Sequence, residues 1–375
     1  MNFEWTDEQR MLQDGLRRYL SDAYDATGRK AAREADRGFS AETWAGLAEM
    51  GVVGALFSED QGGFGGSGFD LALVFEEMGR AGAVDPLIDT GVLGGGLLAT
   101  FEPDTLEGVI AGETHLALAH AEPGARYELA RVAATAERDE GGWRLSGRKA
   151  VVANAAAADR FLVTARTGGA GADPDGISLF AVERGALDFR PYPVVGGGTA
   201  AELSLDGTPA TLLGPEGGAY PALAAVHARA TLAVCAEALG MMEAVRDLTG
   251  DYLRTRKQFG QPIGKFQVLQ HRMADVLIEI EQARSAVINL AGNVDGDARD
   301  LHVAAAKNLV GHVARLVVEE AIQMHGGIGV TEEYDLGHYA RRLSMVDHRF
   351  GDTIHHLERF IALTRDAAPL EGAAR

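Results

Sequence analysis

The stretch HRFGDTIHHLERF, residues 348–360, sets one carboxylate, Asp352, three positions ahead of His355 and four ahead of His356. Asp335 and His338 show the same carboxylate-x-x-His spacing a little earlier. On a helix this spacing turns both side chains to one face, which leaves three chemistries open: a metal ligand pair, an acid/base pair, or an N-cap accepting the first N–H groups of a helix. Two such pairs could build a dinuclear centre inside a bundle. Gly337 interrupts the first pair, and no clear inward glutamate pair elsewhere completes such a set.

The segment LRTRKQFGQPIGKFQVLQHRMAD, residues 253–275, carries a second set of candidates. A helix ends in Arg254, Arg256 and Lys257, a Phe-Gly pair breaks it, Pro262 and Gly264 turn the chain, and Phe266 to Gln270 begin the next helix. Alone, this reads as cations at the negative end of a helix dipole. It gains meaning beside QMHGGIGVTEEYDLGHYARR, residues 323–342, where a helix stops at Gly326, Gly327 and Gly329. Glycines there let a ligand approach backbone N–H groups. A third stretch, GFGGSG at residues 63–68, fits the dinucleotide-binding fingerprint letter for letter. That fingerprint requires a βαβ unit and an acidic residue at the end of the next strand, and neither is present, so the stretch reads as a flexible loop ahead of a helix over 69–80.

The elements that must position these residues follow from periodicity. Residues 6 to about 111 are helical in pattern, opening with Thr6 as an N-cap and Gln9 three positions on. Between about 114 and 214, short and partly alternating runs separated by Gly, Asp and Pro predict a small antiparallel β domain. From about 218 onward, three apolar series recur at spacings of three and four: Leu232 to Tyr252, Leu269 to Leu290, and Val303 to Met324. They predict long amphipathic helices in an antiparallel, four-helix-type bundle. The expected domains are 1–113, helical; 114–217, β; and 218–375, helical bundle. The fold class is α+β.

Lys and Arg total 35 against 54 Asp and Glu, a formal charge of -19 that opposes binding to a nucleic-acid backbone. The acidic start lacks the basic and apolar regions of a signal peptide, and no apolar run of about eighteen residues is evident, so a cytoplasmic protein with no membrane partner is expected. Cys235 is the single cysteine, which excludes intrachain disulfides and zinc sites built on several thiolates.

RKQFGQPIGKFQ and QMHGGIG resemble the paired C-terminal signatures of the flavin-dependent acyl-CoA dehydrogenases, and HAEPGA, residues 120–125, resembles that family's TEPGAGSD segment. The resemblance runs along nearly the whole chain in the right order. More narrowly, several segments are similar to the small subunit of pimeloyl-CoA-type dehydrogenases, which pairs with a larger relative.

The resemblance implies FAD as cofactor, an acyl-CoA substrate, a flavoprotein electron acceptor and a homo- or hetero-oligomer, typically a tetramer. It assigns Arg256 and Phe259 to the adenine and pyrophosphate end of a neighbouring subunit's FAD, with Gln267, Gln323 and Gly327 at further ADP-gripping positions. On the flavin-ring side the chain departs from the family. The threonine before Glu-Pro is Ala121, a serine gives way to Tyr127, and an aromatic-x-Thr ahead of the flavin-bordering asparagine becomes Val151, Val152, Ala153 and Asn154. The family's catalytic glutamate, counted from Gly327, falls on Phe350, or on Gly351 if one residue is inserted. Its alternative location near Ala230 is also empty of carboxylate. The resemblance therefore implies a subunit in FAD-dependent α,β-desaturation of acyl-CoA or dicarboxylyl-CoA thioesters whose catalytic glutamate is carried by a larger partner. The alternatives are a self-sufficient homomeric enzyme using Asp352 as base, and a non-flavin helical metalloprotein using the C-terminal histidines.

Overall fold

The structure, a computed structural model, describes residues 6–331 and 333–366. They form two compact units, one of residues 6–74 and 83–230, the other of residues 75–82 and 231–366.

In the first unit, the Gln9 N–H donates to Thr6 Oγ1 at 3.2 Å while the Thr6 N–H donates to Gln9 Oε1 at 3.0 Å. This capping box starts α1 (Asp7–Ala23), as its spacing predicts. Asp25 and Ser40 cap α2 (Ala26–Glu34) and α3 (Ala41–Glu49). Next come α4 (Gly68–Ala81), a π-helical stretch Ile88–Gly95, α5 (Gly96–Phe101) and α6 (Leu106–Ile110). The flexible loop expected at 63–68 is instead a packed turn. The N–H groups of Gly63, Phe64, Gly65 and Gly66 donate to the carbonyls of Ser58, Gly54, Phe57 and Ala55. A Cβ at Gly63 would lie 2.3 Å from the Gly54 and Phe57 oxygens, and one at Gly65 would lie 2.4 Å from that of Ala55. Glycine serves close backbone packing here, and these N–H groups are not offered to a phosphate.

The strands are β1 (Leu116–Ala119), β2 (Thr135–Asp139), β3 (Gly142–Ala153), β4 (Arg160–Arg166), β5 (Ile177–Glu183), β6 (Tyr192–Pro193) and β7 (Thr199–Leu213). Their order is β1-β4-β2-β3-β7-β5, with β6 on β7 and β5 also pairing β4, so the sheet closes on itself. The antiparallel domain expected from sequence is in fact mixed. β1 runs parallel to β4 with Leu116 opposite Arg160, and β2 meets β4 in parallel at Thr135 and Arg166. Alternation reports which face a side chain takes, not the direction of the strand beside it. Phe161, Val163, Leu145, Leu203 and Phe180 fill the interior, with Trp143 edge-on to Phe180 at 5.4 Å.

The second unit holds most of α7 (Tyr220–Thr255), then α8 (Gln267–Ala291), α9 (Arg299–His325), α10 (Leu336–Val346) and α11 (Thr353–Asp366). The predicted stripes are buried through most of their length, with Leu232, Cys235, Leu239, Met242 and Val245 in α7, Val276 to Leu290 in α8, and Val310 to Met324 in α9, while Leu248, Tyr252, Leu269, Met273 and Val303 are only half-buried. α9 packs on α8, α10 and α11. The last turns of α4 press on α7, where Cβ atoms at Gly79 and Gly240 would each lie 1.9 Å from a carbonyl oxygen of the other helix. Charges beside this crossing are paired: Arg80 with Glu76, Glu77 and Glu243, Arg284 with Glu76 and Glu243, and Arg342 with Glu237. Contrary to the sequence expectation, α7 is long and apolar enough to cross a membrane, because its alanines count as apolar; 72% of that window is buried inside the protein, as in a core helix.

Candidate functional site

After α7, residues 256–262 fold back as a hairpin in which β8 (Lys257–Gln258) pairs with β9 (Gln261–Pro262). Phe259 and Gly260 form the two-residue tip with φ of +53° and +79°, the two left-handed conformations of a type I′ turn. Glycine adopts this freely, whereas phenylalanine does so at a cost. Phe259 is nevertheless 89% exposed, touching only the edge of Phe266 among the described rings, at 5.9 Å. A large apolar ring held in solvent by a disfavoured backbone is an outlier that calls for a functional explanation.

Arg256, Gln267 and Gln323 are likewise exposed. Gly326 ends α9 with φ of +68°, but Gly327 lies outside the left-handed region and has nothing within 4 Å of where a Cβ would stand. Neither conformation nor packing within the chain requires glycine at 327, and its backbone borders open space. Behind it, His325 Nδ1 donates to Ala321 O at 2.8 Å, and the ring stacks on Tyr252 at 4.5 Å; burial lowers its pKa and favours the neutral ring. A guanidinium, two side-chain amides and open backbone suit the pyrophosphate and adenosine of FAD. Arg256, Phe259, Gln267, Gln323 and Gly327 would hold that end of the cofactor, whose flavin supplies a hydride acceptor when bound.

The turn between α10 and α11 is tied from every side. The fully buried Lys307 Nζ donates to Val346 O at 2.8 Å and to Gly351 O at 2.6 Å. Asp347 Oδ1 accepts the N–H and hydroxyl of Thr353 at 2.8 and 2.5 Å, and His356 Nε2 lies 2.8 Å from Phe350 O as its donor. Asp352 Oδ1 accepts the N–H of His355 at 2.7 Å, so the geometry at the start of α11 is that of a cap. Phe350 and Gly351, where the family's base is counted, offer no ionisable group. Their φ values are +57° and +106°, and a Cβ at Gly351 would lie 2.4 Å from His356 Nε2. The carboxylate-x-x-His pairs do not assemble a metal centre. His338 Nε2 is 2.9 Å from Gly82 O, and among the described residues no three His, Cys, Asp or Glu side chains converge.

In the first unit, the Ala150 N–H donates to Ala121 O at 2.8 Å, bringing together two segments where the family flanks its flavin. A bulge between Lys149 and Val152 leaves Val151 59% exposed with φ of +50°, its N–H held by Glu202 at 3.0 Å. A left-handed backbone is costly at a β-branched residue, so this edge is strained. Asn154 is buried, and its amide donates to Thr90 Oγ1 at 3.1 Å and Leu116 O at 3.0 Å, so its side chain is spent inside the unit. Beneath this edge lies a network that sequence reasoning missed. Lys149 Nζ, with no exposed side-chain surface, donates to Glu122 at 2.6 Å, Thr164 Oγ1 at 3.2 Å and His120 O at 3.3 Å. Glu122 also accepts the N–H groups of Ala133 and Ala134. Burial pushes the Lys149 pKa down to about 8 against the opposing pull of Glu122, and burial with the Lys149 charge holds His120 well below the usual histidine range. No spacing marks Lys149 or Lys307, because a lysine beside an apolar series reads as a surface residue.

Three domain families match the chain in order: acyl-CoA dehydrogenase N-terminal domain over residues 6–101, middle domain over 117–207 and C-terminal domain over 218–353. The probable acyl-CoA dehydrogenase YngJ of Bacillus subtilis is 28% identical across 96% of this chain and 98% of its own length. Acyl-CoA dehydrogenase FadE12 of Mycobacterium tuberculosis is 31% identical across 79% of this chain and 80% of its own. Among solved structures, a variant of the Tcur3481-Tcur3483 steroid ACAD superposes with a TM-score of 0.86 at 31% identity, covering 96% of this chain and 98% of that one. The chain belongs to the acyl-CoA dehydrogenase family of FAD-dependent oxidoreductases.

Proposed function

We propose that this chain is one subunit of a heteromeric acyl-CoA dehydrogenase, sharing FAD at a subunit interface with a larger relative that carries the catalytic glutamate for α,β-desaturation of an acyl-CoA or dicarboxylyl-CoA thioester. The observation that carries the reading is the turn at Phe350 and Gly351. Proton abstraction needs an ionisable group held at the α carbon, and here His356 Nε2 occupies the space that a side chain at 351 would enter. The ADP-side positions, by contrast, stay exposed and open at Arg256, Phe259 and Gly327. This contrast supports a chain that grips a neighbour's cofactor without completing its own base. The Tcur3481-Tcur3483 relative, named for two components, supports the same assembly. In this reading electrons leave through a flavoprotein acceptor in the cytoplasm.

The test is single-turnover flavin reduction by acyl-CoA, measured on the chain alone and after mixing with the larger relative. Slow or no bleaching alone, and fast bleaching with the partner, is expected. Rapid reduction by the isolated, flavin-loaded chain would sink the heteromer reading.

A further inference from the structure

α9 ends at His325, and the short turn that follows, Gly326–Val330, carries the exposed backbone of Gly326 and Gly327. The direction of that turn is set by the histidine. Its side chain is 4% exposed, stacked on Tyr252 of α7 at 4.5 Å and 26°, with Tyr334 from the chain entering α10 tilted against it at 5.2 Å. The two tyrosines meet edge to face at 6.3 Å, so the smaller ring is enclosed by both. The turn then folds back on the same residue, since a Cβ at Gly329 would lie 3.0 Å from His325 Cβ and 3.2 Å from Leu336 Cδ2. α7, α9 and the entry to α10 thus converge on one side chain directly ahead of the open backbone.

The enclosure also commits the ring to one protonation state. With Nδ1–H given to Ala321 O, the neutral ring keeps Nε2 unprotonated, and Nε2 is buried without a hydrogen-bond partner among the described residues. A proton added there would be a charge held away from water. Burial accordingly lowers the pKa, against the opposing pull of the Ala321 and Leu248 carbonyls. The titratable groups that face the ring are the phenols of Tyr252 and Tyr334; burial, then Tyr252, Asp335 and Asp251, raises that of Tyr334 still further from the histidine range.

We propose, on the reading that this end of the bundle grips the ADP portion of FAD, that His325 is a positioning residue for it: the ring, held between Tyr252 and Tyr334, keeps the turn in the shape that leaves Gly326 and Gly327 open to the cofactor. An opened turn frees the ring to titrate near about 6.5. The closed turn is therefore fully held above that value and loses ground as pH falls below it.

The test compares the natural chain with His325→Phe, which keeps a ring between the tyrosines without titrating, and with His325→Ala, which removes it. Amide hydrogen exchange of residues 326–331 is followed on the full chain, and FAD retention on the complex assembled with the larger relative. At neutral pH His325→Ala should speed the exchange and weaken FAD retention by about tenfold each, equivalent to about 1.4 kcal/mol, while His325→Phe matches the natural chain. From about pH 6.5 to about pH 5 the natural chain should lose both protection and FAD, and His325→Phe should keep them. If His325→Ala melts early, His325→Gln, which has bulk but no ring, should show the same two losses. Unchanged exchange in the ringless variants, or an equal acid loss in His325→Phe, would overturn the proposal. A natural complex that holds no FAD at neutral pH would instead remove the ADP reading, while the exchange pattern still decides whether His325 holds the turn.

Discussion

The Asp352 carboxylate accepts the main-chain N–H of His355 at 2.7 Å, and that bond starts the helix on which His355 and His356 ride. A cap needs a short acceptor and not an ionisable one. Asp352→Asn should therefore keep both stability and partner-dependent flavin reduction, while Asp352→Ala should cost about 0.5 to 2 kcal/mol in chemical denaturation. Loss of reduction by orders of magnitude in the Asn variant, with melting unchanged, would make Asp352 the base instead.

Arg256 and Phe259 sit outside the packed interior, so truncating them should change folding by no more than about 0.5 kcal/mol. Arg256→Ala and Phe259→Ala should each lower the FAD retained by the assembled complex through gel filtration, read as flavin absorbance per chain. Unchanged flavin content would remove the substituted residue from the site.

Which features were legible in the sequence follows from how local their causes are. The Thr6 and Gln9 box and the α7 to α9 stripes depend on residues three or four apart, so spacing reveals them. The parallel pairing of β1 with β4 joins Leu116 to Arg160, and no local pattern encodes that direction. Lys307 is buried because carbonyls at 346 and 351 receive its protons, and Lys149 because Glu122 and Thr164 do. Partners so far along the chain are invisible to periodicity. At the candidate site the sequence located the Arg256 to Gly260 break. It did not show that Phe259 stands in solvent, or that His356 fills the space beside Gly351.

Gly351→Glu, the simplest attempt to restore a base, should fail. Its Cβ would meet His356 Nε2 at 2.4 Å and His355 Cδ2 at 2.8 Å, and its φ of +106° suits glycine. Overpacking of this kind costs about 1 to 3 kcal/mol. A lower melting temperature and no gain in flavin reduction by the isolated chain are expected. A gain of several orders of magnitude would show that the turn tolerates a side chain and that a missing carboxylate is all that separates this subunit from a self-sufficient enzyme.

Lys149 gives the pH dependence a defined sign. Its folded pKa is about 8, lowered chiefly by burial, whereas an unfolded lysine titrates near about 10.4. Between these values the unfolded chain binds the additional proton, so this group makes folding more favourable as pH rises through the window and contributes no slope below it. Lys149→Met removes the titration while keeping an unbranched side chain against Thr164 and Glu122. Melting temperatures measured in parallel from neutral to strongly alkaline pH should therefore show the natural chain gaining on the variant as pH climbs from about 8 to about 10.4. A gap that stays constant or narrows over that range would mean that Lys149 does not titrate below its unfolded value, and that its pairing with Glu122 outweighs the cost of burying the charge.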